Sequence, residues 1–515
     1  MGAHLKSATP INRKHVTKVD LRNYALLFFG SILFHLAGTW SLPLIDRDEP
    51  RFAEASREMI ERGDYIVPYF NNQYRFDKPP LTYWFQVISY RLFGQTDFAA
   101  RFPTAVAASL TALIIFAWGR RIESVRLGLW AAIVFTVCLQ TILHAKAAVA
   151  DMWLVLFVTL AHWAGYELLR DSLGLKQPGA ASNADDGRKW WWIFYLALAF
   201  AFLAKGPAGW VPLGTIAATR FFLPQEKLNR RFLFVAGYVV VLAIIALWGI
   251  PAVYSTHGKF LWVGIVRQVL GRTVGTMQGH GGTSILSALV MLPFYFVTIF
   301  VSFFPWSIKL PWLTRRLWKD RDAIDSYLIA GAGVILVLFT IVKTKLPHYI
   351  LPAFPLLSLL LVRHWFAAGL SQRRLRNWAI AMASVSLAAA LIAPPLLAPL
   401  FPSVQLFKKS RDALKPEMDF GSVAYEAPTL VWYFRSRVHG YLYHNRVNNR
   451  DALPLQPRQV KAFLEKPGAH FVIMPTALAN QLYPALPEGW QKFSTRGIDF
   501  SNGRQVDLTL ILKPS

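Results

Sequence analysis

The chain has 515 residues, of which 54% are hydrophobic and 14% aromatic, and its formal net charge at pH 7 is +26. Its apolar residues form stretches close to the roughly 20 residues that span a bilayer, which excludes an ordinary soluble domain. The basic residues stand in short clusters between these stretches and form no continuous basic domain, which argues against nucleic-acid binding. The single cysteine, Cys138, lies in an apolar stretch and predicts neither a disulfide framework nor a cysteine-based metal site.

A basic N-terminal segment precedes the first apolar stretch, which is too long for a cleavable signal peptide and predicts a retained first span. Further apolar stretches follow along the chain, and together they predict a polytopic all-α membrane protein with about 11 to 13 transmembrane helices. The candidate spans are residues 22–44, 102–118, 127–143, 152–168, 190–204, 207–222, 232–253, 284–308, 326–342, 347–362 and 378–400.

Basic clusters mark alternate loops between the spans and place these loops on the cytoplasmic side by the positive-inside rule. The remaining loops then face outward, and the unusual ionisable residues near span ends fall almost entirely within them. Topology therefore brings to one membrane face residues that are distant in sequence: Asp46, Asp48, Glu49, Lys78, Asp151, Lys205, Arg272, Lys345 and His348. Such a set is expected of an active site at the mouth of a helix bundle, although each single Lys or Arg could also be snorkelling at the interface.

The first outer loop, residues 45–101, predicts two helices that lie along the membrane. Residues 48–63 suit an amphipathic helix, with acids in its first turn and Gly63 at its end. Its charged residues are expected to face away from an apolar stripe. Residues 79–93 predict a second helix, rich in aromatic residues that suit the headgroup layer.

Three motifs stand in this loop: Asp46-Arg47-Asp48-Glu49-Pro50-Arg51-Phe52-Ala53-Glu54, Gly63-Asp64-Tyr65-Ile66-Val67-Pro68 and Phe76-Asp77-Lys78-Pro79-Pro80. They resemble the first periplasmic loop of bacterial GT-C glycosyltransferases, above all the aminoarabinose transferases that modify lipid A and that are related to protein O-mannosyltransferases. Further matches follow in order: Ala150-Asp151-Met152, Lys205-Gly206-Pro207, Val269-Leu270-Gly271-Arg272, Phe304-Pro305-Trp306 and Lys345-Leu346-Pro347-His348-Tyr349. One departure is Asp77, where aminoarabinose transferases usually carry Glu.

The resemblance implies a transmembrane catalytic domain over residues 1–402. Residues 403–515 predict a small α/β domain on the periplasmic side, with short strands at 423–425, 440–443, 471–474 and 508–512. Helical patterns lie at 456–466 and 475–484. Nothing in this domain looks catalytic, and it is expected either to contact the acceptor or to cap the bundle.

The activity that the resemblance implies is transfer of a hexose or pentose from an undecaprenyl-phosphate-type lipid to a hydroxyl of lipid A, another glycan or a protein. The site would lie on the periplasmic side of the bacterial inner membrane. A departing phosphate needs cations and donors at its oxygens, a role that the resemblance gives to Lys78, Lys205, Arg272 and Tyr349. The acceptor hydroxyl needs a base, for which Asp48 matches the motif, with Asp151 as a second acid. The remaining candidate substrate contacts are Glu49, Asp77, His348 and Lys345.

A divalent metal ion is an open alternative as cofactor. Asp48, Asp77, Asp151 and His280 could supply ligands, but no local metal-ligand spacing accompanies them, and His144 and His280 can equally be ordinary polar contacts. Direct displacement would invert the anomeric centre, whereas a covalent route would need a second, closely opposed carboxylate.

Two other classes of protein also remain open. A secondary transporter would place charges near the bilayer midplane, often with inverted repeats, whereas here the charges stand at one interface. A noncatalytic envelope lipid-binding protein would use the acids of residues 46–49 as helix caps alone.

Overall fold

The computed structural model describes residues 16–170, 173, 184–223, 228–264, 291–415, 418–425, 427–435 and 457–514. In this part of the chain, the first half is helical: α1 Val16–Leu36, α2 Asp48–Arg62, α3 Leu81–Phe93, α4 Asp97–Ile122, α5 Val125–Thr136, α6 Leu139–Ala145, α7 Asp151–Leu169, α8 Ala184–Lys205, α9 Val211–Ala218, α10 Leu228–Phe232 and α11 Phe234–Ser255. The later helices are α12 Phe294–Ser302, α13 Leu310–Lys319, α14 Ala323–Ile341, α15 Phe354–Ala367, α16 Gln372–Leu397, α17 Pro402–Ser410, α18 Pro428–Arg435, α19 Pro457–Leu464 and α20 Thr476–Leu482.

Seven helices of the described residues are long and apolar enough to cross a membrane, or eight if α5 and α6, which meet at a 68° bend, form one span. One of the seven ranges, Asp186–Phe221, is 36 residues long. The chain reverses within it, because a Cβ added at Gly209 would lie 2.5 Å from the backbone of Ala201. The predicted span at 190–204 and all but the last residue of that at 207–222 therefore lie within this range. The polytopic helical fold is confirmed, while the predicted total of about 11 to 13 spans stays a prediction.

The first predicted span, 22–44, was placed too far along the chain. Helix α1 ends at Leu36, and Gly38 follows with a left-handed φ of 78°. Only glycine adopts this conformation readily, so it is a common way to end a helix. A Cβ at Gly38 would also lie 1.9 Å from the carbonyl oxygen of Ala390, so α16 packs directly against the chain here.

The first outer loop forms the two predicted helices, α2 and α3. Helix α2 ends as expected, with Gly63 in a left-handed conformation at φ 66°. The expectation that its charged side faces away was wrong, since Arg51, Glu54, Arg57 and Glu58 are all buried. Helix α18 and a hairpin formed by β1 Tyr69–Phe70 and β2 Gln73–Tyr74 pack against α2 and cover this side. Burial is possible because the charges pair with one another: Arg57 Nη2 lies 2.9 Å from Glu54 Oε1.

The C-terminal part contains a four-stranded sheet in the order β3-β4-β6-β5, built from β3 Asp419–Ser422, β4 His470–Pro475, β5 Gln491–Asp499 and β6 Arg504–Lys513. Strands β3 and β4 are parallel and the other two pairs are antiparallel. The predicted strands at 471–474 and 508–512 are confirmed, as are the two predicted helices. The strand predicted at 423–425 begins just after β3 ends, β5 was not predicted, and residues 440–443 lie outside the described part of the chain.

This C-terminal part is packed onto the outer loop through apolar contacts. Phe70 of the hairpin belongs to the core formed with Phe420, Phe471 and Leu510 of the sheet. A second cluster joins Leu44, Ala53, Tyr90 and Trp432. The division at residues 402 and 403 stays a prediction, but these contacts join the predicted domains closely.

Candidate active site

Five segments that are distant in sequence converge at one end of the helix bundle. They are the start of α2, residues 75–78 after β2, the start of α7, the end of α8, and residues 344–349, which lead into a 3₁₀ turn at Pro347–Ala353. Between them lies a small cavity of about 80 Å³, called here the polar cavity. Its lining residues are Asp48, Arg51, Phe52, Arg75, Asp77, Lys78, Val149, Ala150, Asp151, Lys205, Thr344, Leu346, His348 and Tyr349.

A second, much larger cavity of about 900 Å³ adjoins the polar cavity and is called here the apolar cavity. Its walls come mainly from aliphatic and aromatic side chains of α7, α8, α11 and α14, including Leu154, Phe202, Ile245 and Phe339. The two cavities share the residues at their junction: Asp77, Lys78, Asp151, Lys205, Thr344, His348 and Tyr349. The combined space is therefore amphipathic, with its charges at one end.

Asp151 and Lys205 form the central ion pair of this junction. Asp151 begins α7 and Lys205 ends α8, so each charge is favourable for the dipole of its own helix. The two helices pack against each other, which brings Lys205 Nζ to 2.5 Å from Asp151 Oδ1. His348 Nε2 lies 3.7 Å from the same oxygen, and Lys205 Nζ lies 5.0 Å from the ring centroid of Tyr349.

Asp77 is held by a buried arginine that follows the β1–β2 hairpin. Arg75 Nη1 lies 3.1 Å from Asp77 Oδ2, and Arg75 Nε donates to the Tyr83 hydroxyl at 3.0 Å. Burial alone would lower the pKa of Arg75, but the nearby Tyr83 and Asp77 raise it above its ordinary value. The arginine is therefore a fixed positive charge in the wall of the polar cavity.

Asp48 differs from the other two carboxylates of the polar cavity. Its side chain is exposed, and within the described residues it accepts no hydrogen bond and forms no ion pair. Asp77 and Asp151, in contrast, each have a cationic partner. Asp48 is thus the carboxylate with lone pairs available for a ligand.

Two candidate substrate contacts have structural partners instead. Glu49 accepts hydrogen bonds from Arg101 at 2.7 and 2.8 Å and from the backbone N–H groups of Ile45 and Ala148. Lys345 Nζ donates to three carbonyl oxygens at the end of α14, those of Phe339, Thr340 and Val342. Neither residue lines the polar or the apolar cavity, so their hydrogen bonds support a structural role in place of the predicted contact with substrate.

Arg272 and His280 lie outside the described residues. Among the residues that the structure describes, one group has ligand atoms close enough for a metal ion: His144, Asp151 and His348, all within 4.8 Å of one another. Asp48 and Asp77, which the sequence had suggested as ligands, are not part of this group. Two nitrogens and one carboxylate oxygen suit a divalent metal, but Lys205 already occupies the Asp151 oxygen nearest to His348.

Sequence reasoning missed two arginines at this site and gave a third residue, His144, only as a possible ordinary polar contact. Arg51 and Arg75 line the polar cavity and are both buried, and His144 packs on His348 with ring centroids 4.7 Å apart. Arg51 stands inside a motif that carried the resemblance and Arg75 directly precedes another, which was the available signal. Four cationic side chains and three carboxylates therefore line the polar cavity.

The comparisons with known proteins agree with this architecture. A sequence model of the family described as dolichyl-phosphate-mannose-protein mannosyltransferase matches residues 77–250. An uncharacterized protein of Aquifex aeolicus is 30% identical over 342 residues, which cover 65% of this chain and 71% of that protein. An undecaprenyl phosphate-alpha-4-amino-4-deoxy-L-arabinose arabinosyl transferase of Sodalis glossinidius is 28% identical over 411 residues, covering 75% and 68%.

A solved structure has a similar fold over nearly the whole chain. The crystal structure of ArnT from Cupriavidus metallidurans bound to undecaprenyl phosphate superposes with a TM-score of 0.75 at 19% identity. The match covers 94% of this chain and 98% of the other. At that identity the likeness shows the fold.

Proposed function

The chain belongs to the GT-C superfamily of membrane glycosyltransferases, which includes the aminoarabinose transferases and the protein O-mannosyltransferases. From this premise we propose that it transfers a sugar from a polyprenyl phosphate to an acceptor hydroxyl in the polar cavity. The observation that carries the proposal is the junction of the two cavities. An apolar space of about 900 Å³ opens directly onto a cluster of cations and acids. A donor with a long hydrocarbon chain and a phosphate-linked sugar has the same division of polarity.

The donor lies with its prenyl chain in the apolar cavity and its phosphate at the shared residues. Lys78 and Lys205 offer ammonium groups there, and Tyr349 offers a hydroxyl. Arg51 and Arg75 add two more fixed positive charges to the polar side. Charge-assisted hydrogen bonds from these groups stabilise the phosphate as it departs with negative charge.

Asp48 is the proposed general base. It takes the proton from the acceptor hydroxyl while the acceptor oxygen forms a bond to the anomeric carbon and the bond from that carbon to the phosphate oxygen breaks. Its lack of a cationic partner among the described residues supports this role, because a paired carboxylate would be a weaker base. Asp151 orients Lys205 by their ion pair.

Direct displacement at the anomeric carbon predicts inversion. The reaction is tested with the purified protein in detergent or vesicles, a synthetic undecaprenyl-phosphate sugar and an acceptor lipid, with the product linkage determined by NMR. We expect the opposite anomeric configuration to that of the donor. Retention would contradict direct displacement and would point to a covalent sugar–enzyme intermediate.

The names of the relatives favour 4-amino-4-deoxy-L-arabinose as the sugar. A pentose is thus preferred to a hexose. We propose lipid A as the acceptor and the periplasmic side as the place of transfer, as the resemblance of the sequence motifs implies. Mass spectrometry of lipid A from a deletion strain tests this directly. Loss of an aminoarabinose mass from lipid A supports the proposal. Unchanged lipid A together with a loss of protein or glycan glycosylation would contradict it and would identify the protein or glycan as the acceptor.

None of the proposed steps passes through a metal ion. A divalent ion bound by His144, Asp151 and His348 would compete with Lys205 for Asp151 and would add a second positive charge beside it. We propose that Lys205 supplies the charge at this position.

A further inference from the structure

The segment that leads into Asp48 is held in place from two sides. On the side of the helix bundle, Arg101 of α4 donates to the carbonyl oxygens of Thr39, Leu42 and Pro43 as well as to Glu49. These bonds fix the chain before and after Asp48. The Asp48 side chain accepts no hydrogen bond among the described residues, so its position depends on those of its neighbours.

The other side of the same segment is held by the C-terminal part of the chain. Thr429 of α18 donates twice to Asp46, from its backbone N–H to Oδ1 at 3.0 Å and from its hydroxyl to Oδ2 at 2.9 Å. The backbone N–H of Leu44 donates to the Tyr433 hydroxyl at 3.2 Å, and Arg47 Nε donates to the carbonyl oxygen of Ser501. Three residues between Pro43 and Asp48 therefore bond to a region of the chain that is 383 to 454 positions away.

Helix α18 is itself anchored to the start of α4. The Tyr433 hydroxyl donates to Asp97 Oδ2 at 2.7 Å, and Trp432 Nε1 donates to Asp97 Oδ1 at 2.8 Å. Trp432 also packs in the apolar cluster with Leu44 and Ala53. Since α4 carries both Asp97 and Arg101, the two sets of contacts to the catalytic segment share one rigid helix.

Asp46 is also electrostatically close to the wall of the polar cavity. Arg51, which lines that cavity, interacts favourably with the Asp46 carboxylate from one turn further along the chain. Asp499 of β5 acts on Asp46 with the opposite sign, and the Tyr425 hydroxyl lies in the same buried group. The orientation of Asp46 thus affects two residues of the polar cavity, Asp48 by chain connection and Arg51 by charge.

We propose that Thr429 is a positioning residue for sugar transfer: by fixing Asp46 it sets the direction of Asp48 and Arg51 towards the polar cavity, and the C-terminal domain is thereby part of the catalytic unit. This inference rests on the proposed function. It gives a role to Asp46, the acid of residues 46–49 that had none, and to a domain none of whose described residues lines either cavity.

The test compares two substitutions at one position. In Thr429→Val the hydroxyl is lost while size and backbone are kept, so one of the two bonds to Asp46 disappears. We expect kcat to fall about tenfold or more, as when a positioned group is displaced, with the KM for the donor within about twofold because Lys78 and Lys205 lie on other segments. Thr429→Ser retains the hydroxyl and should keep kcat within about twofold of the wild type.

Thr509→Val is the matched control. Thr509 is fully buried in β6 and its hydroxyl bonds to Thr476 and Ser494, within the same domain but away from the outer loop. Its loss should lower the melting temperature and leave kcat unchanged. If Thr429→Val does not fold, Asp46→Ala breaks the same contact from the other side and takes its place.

Unchanged kcat in Thr429→Val, or an equal fall in Thr509→Val, would overturn the inference and reduce Thr429 to a structural role. A failure of the proposed function looks different. If Asp48→Asn keeps full activity, the proposed function is contradicted, because Asp48 is then not the base. If Asp48→Asn is inactive while Thr429→Val is fully active, the proposed function stands and only the positioning role of Thr429 is contradicted.

Discussion

Two clusters of charged residues lie at opposite ends of α7, and they differ in how completely their acids are paired. At one end is the polar cavity with Asp151. At the other, Glu167 lies 2.8 Å from Arg121, and Arg363 lies 2.5 Å from both Asp322 and Asp325. We call this second cluster the inner network, formed by Arg121, Glu167, Asp322, Asp325, Arg363 and His364.

Every carboxylate of the inner network has a cationic partner in the described residues, and two of them, Asp322 and Asp325, also form a capping box at the start of α14. Such a cluster has no acid left for a substrate, and removal of one partner would leave a partly buried charge uncompensated. In the polar cavity, Asp48 has no ion-pair partner among the described residues, although four cationic side chains line the same cavity. Charged residues at the end of a span are therefore not sufficient evidence of an active site. The two clusters differ because, among the described residues, only the polar cavity contains a carboxylate without a cationic partner.

The largest predicted effect concerns Lys205, one of the four cationic side chains that line the polar cavity. Lys205→Met should lower turnover by about 10² to 10³-fold, because the departing phosphate loses a charge-assisted donor. Lys345→Met is the matched control, since this lysine bonds only to carbonyl groups at the end of α14 within the described residues. It should lower thermal stability and keep turnover within about threefold. An equal loss of turnover in Lys205→Met and Lys345→Met would contradict the proposal that only Lys205 acts on the phosphate.

Disruption of the inner network should lower the stability of the protein and leave its turnover unchanged. Arg363→Met leaves Asp322 and Asp325 without their shared partner and should lower the free energy of unfolding by about 2 kcal/mol. Turnover of the folded fraction should match that of the wild type. The measurement is a detergent-solubilised melting curve together with a transfer assay, and a selective loss of turnover would assign the inner network a catalytic role.

A smaller effect is expected from the pH dependence of Asp46. Burial raises the pKa of this carboxyl to about 7, against the opposing effect of its bonds from Thr429. An acid with a raised pKa in the folded state binds its proton more tightly there than in the unfolded chain. Its stabilising contribution is therefore full below about pH 4 and is lost as the pH rises to about 7.

Asp46→Asn, which cannot ionise, should lack this loss. We expect the melting temperature of the wild type to fall more between pH 5 and pH 7.5 than that of the variant. Parallel curves would show that Asp46 does not titrate in this range. The groups facing Asp46, namely Arg51, Asp499 and Tyr425, are unchanged in the variant.

The smallest effect is expected from metal removal. Because Lys205 already neutralises Asp151, dialysis against a chelator should change turnover by less than about twofold. Loss of activity that is restored by one divalent metal would instead place an ion at His144, Asp151 and His348.

Much of this arrangement could be predicted from the sequence. Apolar stretches and basic clusters gave the polytopic fold and brought Asp48, Lys78, Asp151 and Lys205 to one face, because span length and loop charge are local properties. Partners distant in sequence could not be predicted in this way. The pairing of Glu49 with Arg101 spans 52 positions, and that of Asp46 with Thr429 spans 383.

The same limit explains the error at α2. Its pattern of charges is that of a helix with one solvated side, and only the packing of α18 and the β1–β2 hairpin buries that side. Local periodicity reports what one helix could do alone and contains no information on the elements that cover it.

The most direct test of the account is the Asp48→Asn variant, with turnover and donor affinity measured on the same preparation. Asp64→Asn is its control in the same loop, since Asp64 Oδ1 bonds to the backbone N–H groups of Ile66 and Val67 and the amide oxygen of Asn can accept the same bonds. We predict that Asp48→Asn loses about 10²-fold or more in turnover and retains its donor affinity within about threefold, while Asp64→Asn behaves as the wild type. Turnover of Asp48→Asn within a few-fold of the wild type would contradict the assignment of Asp48 as the base.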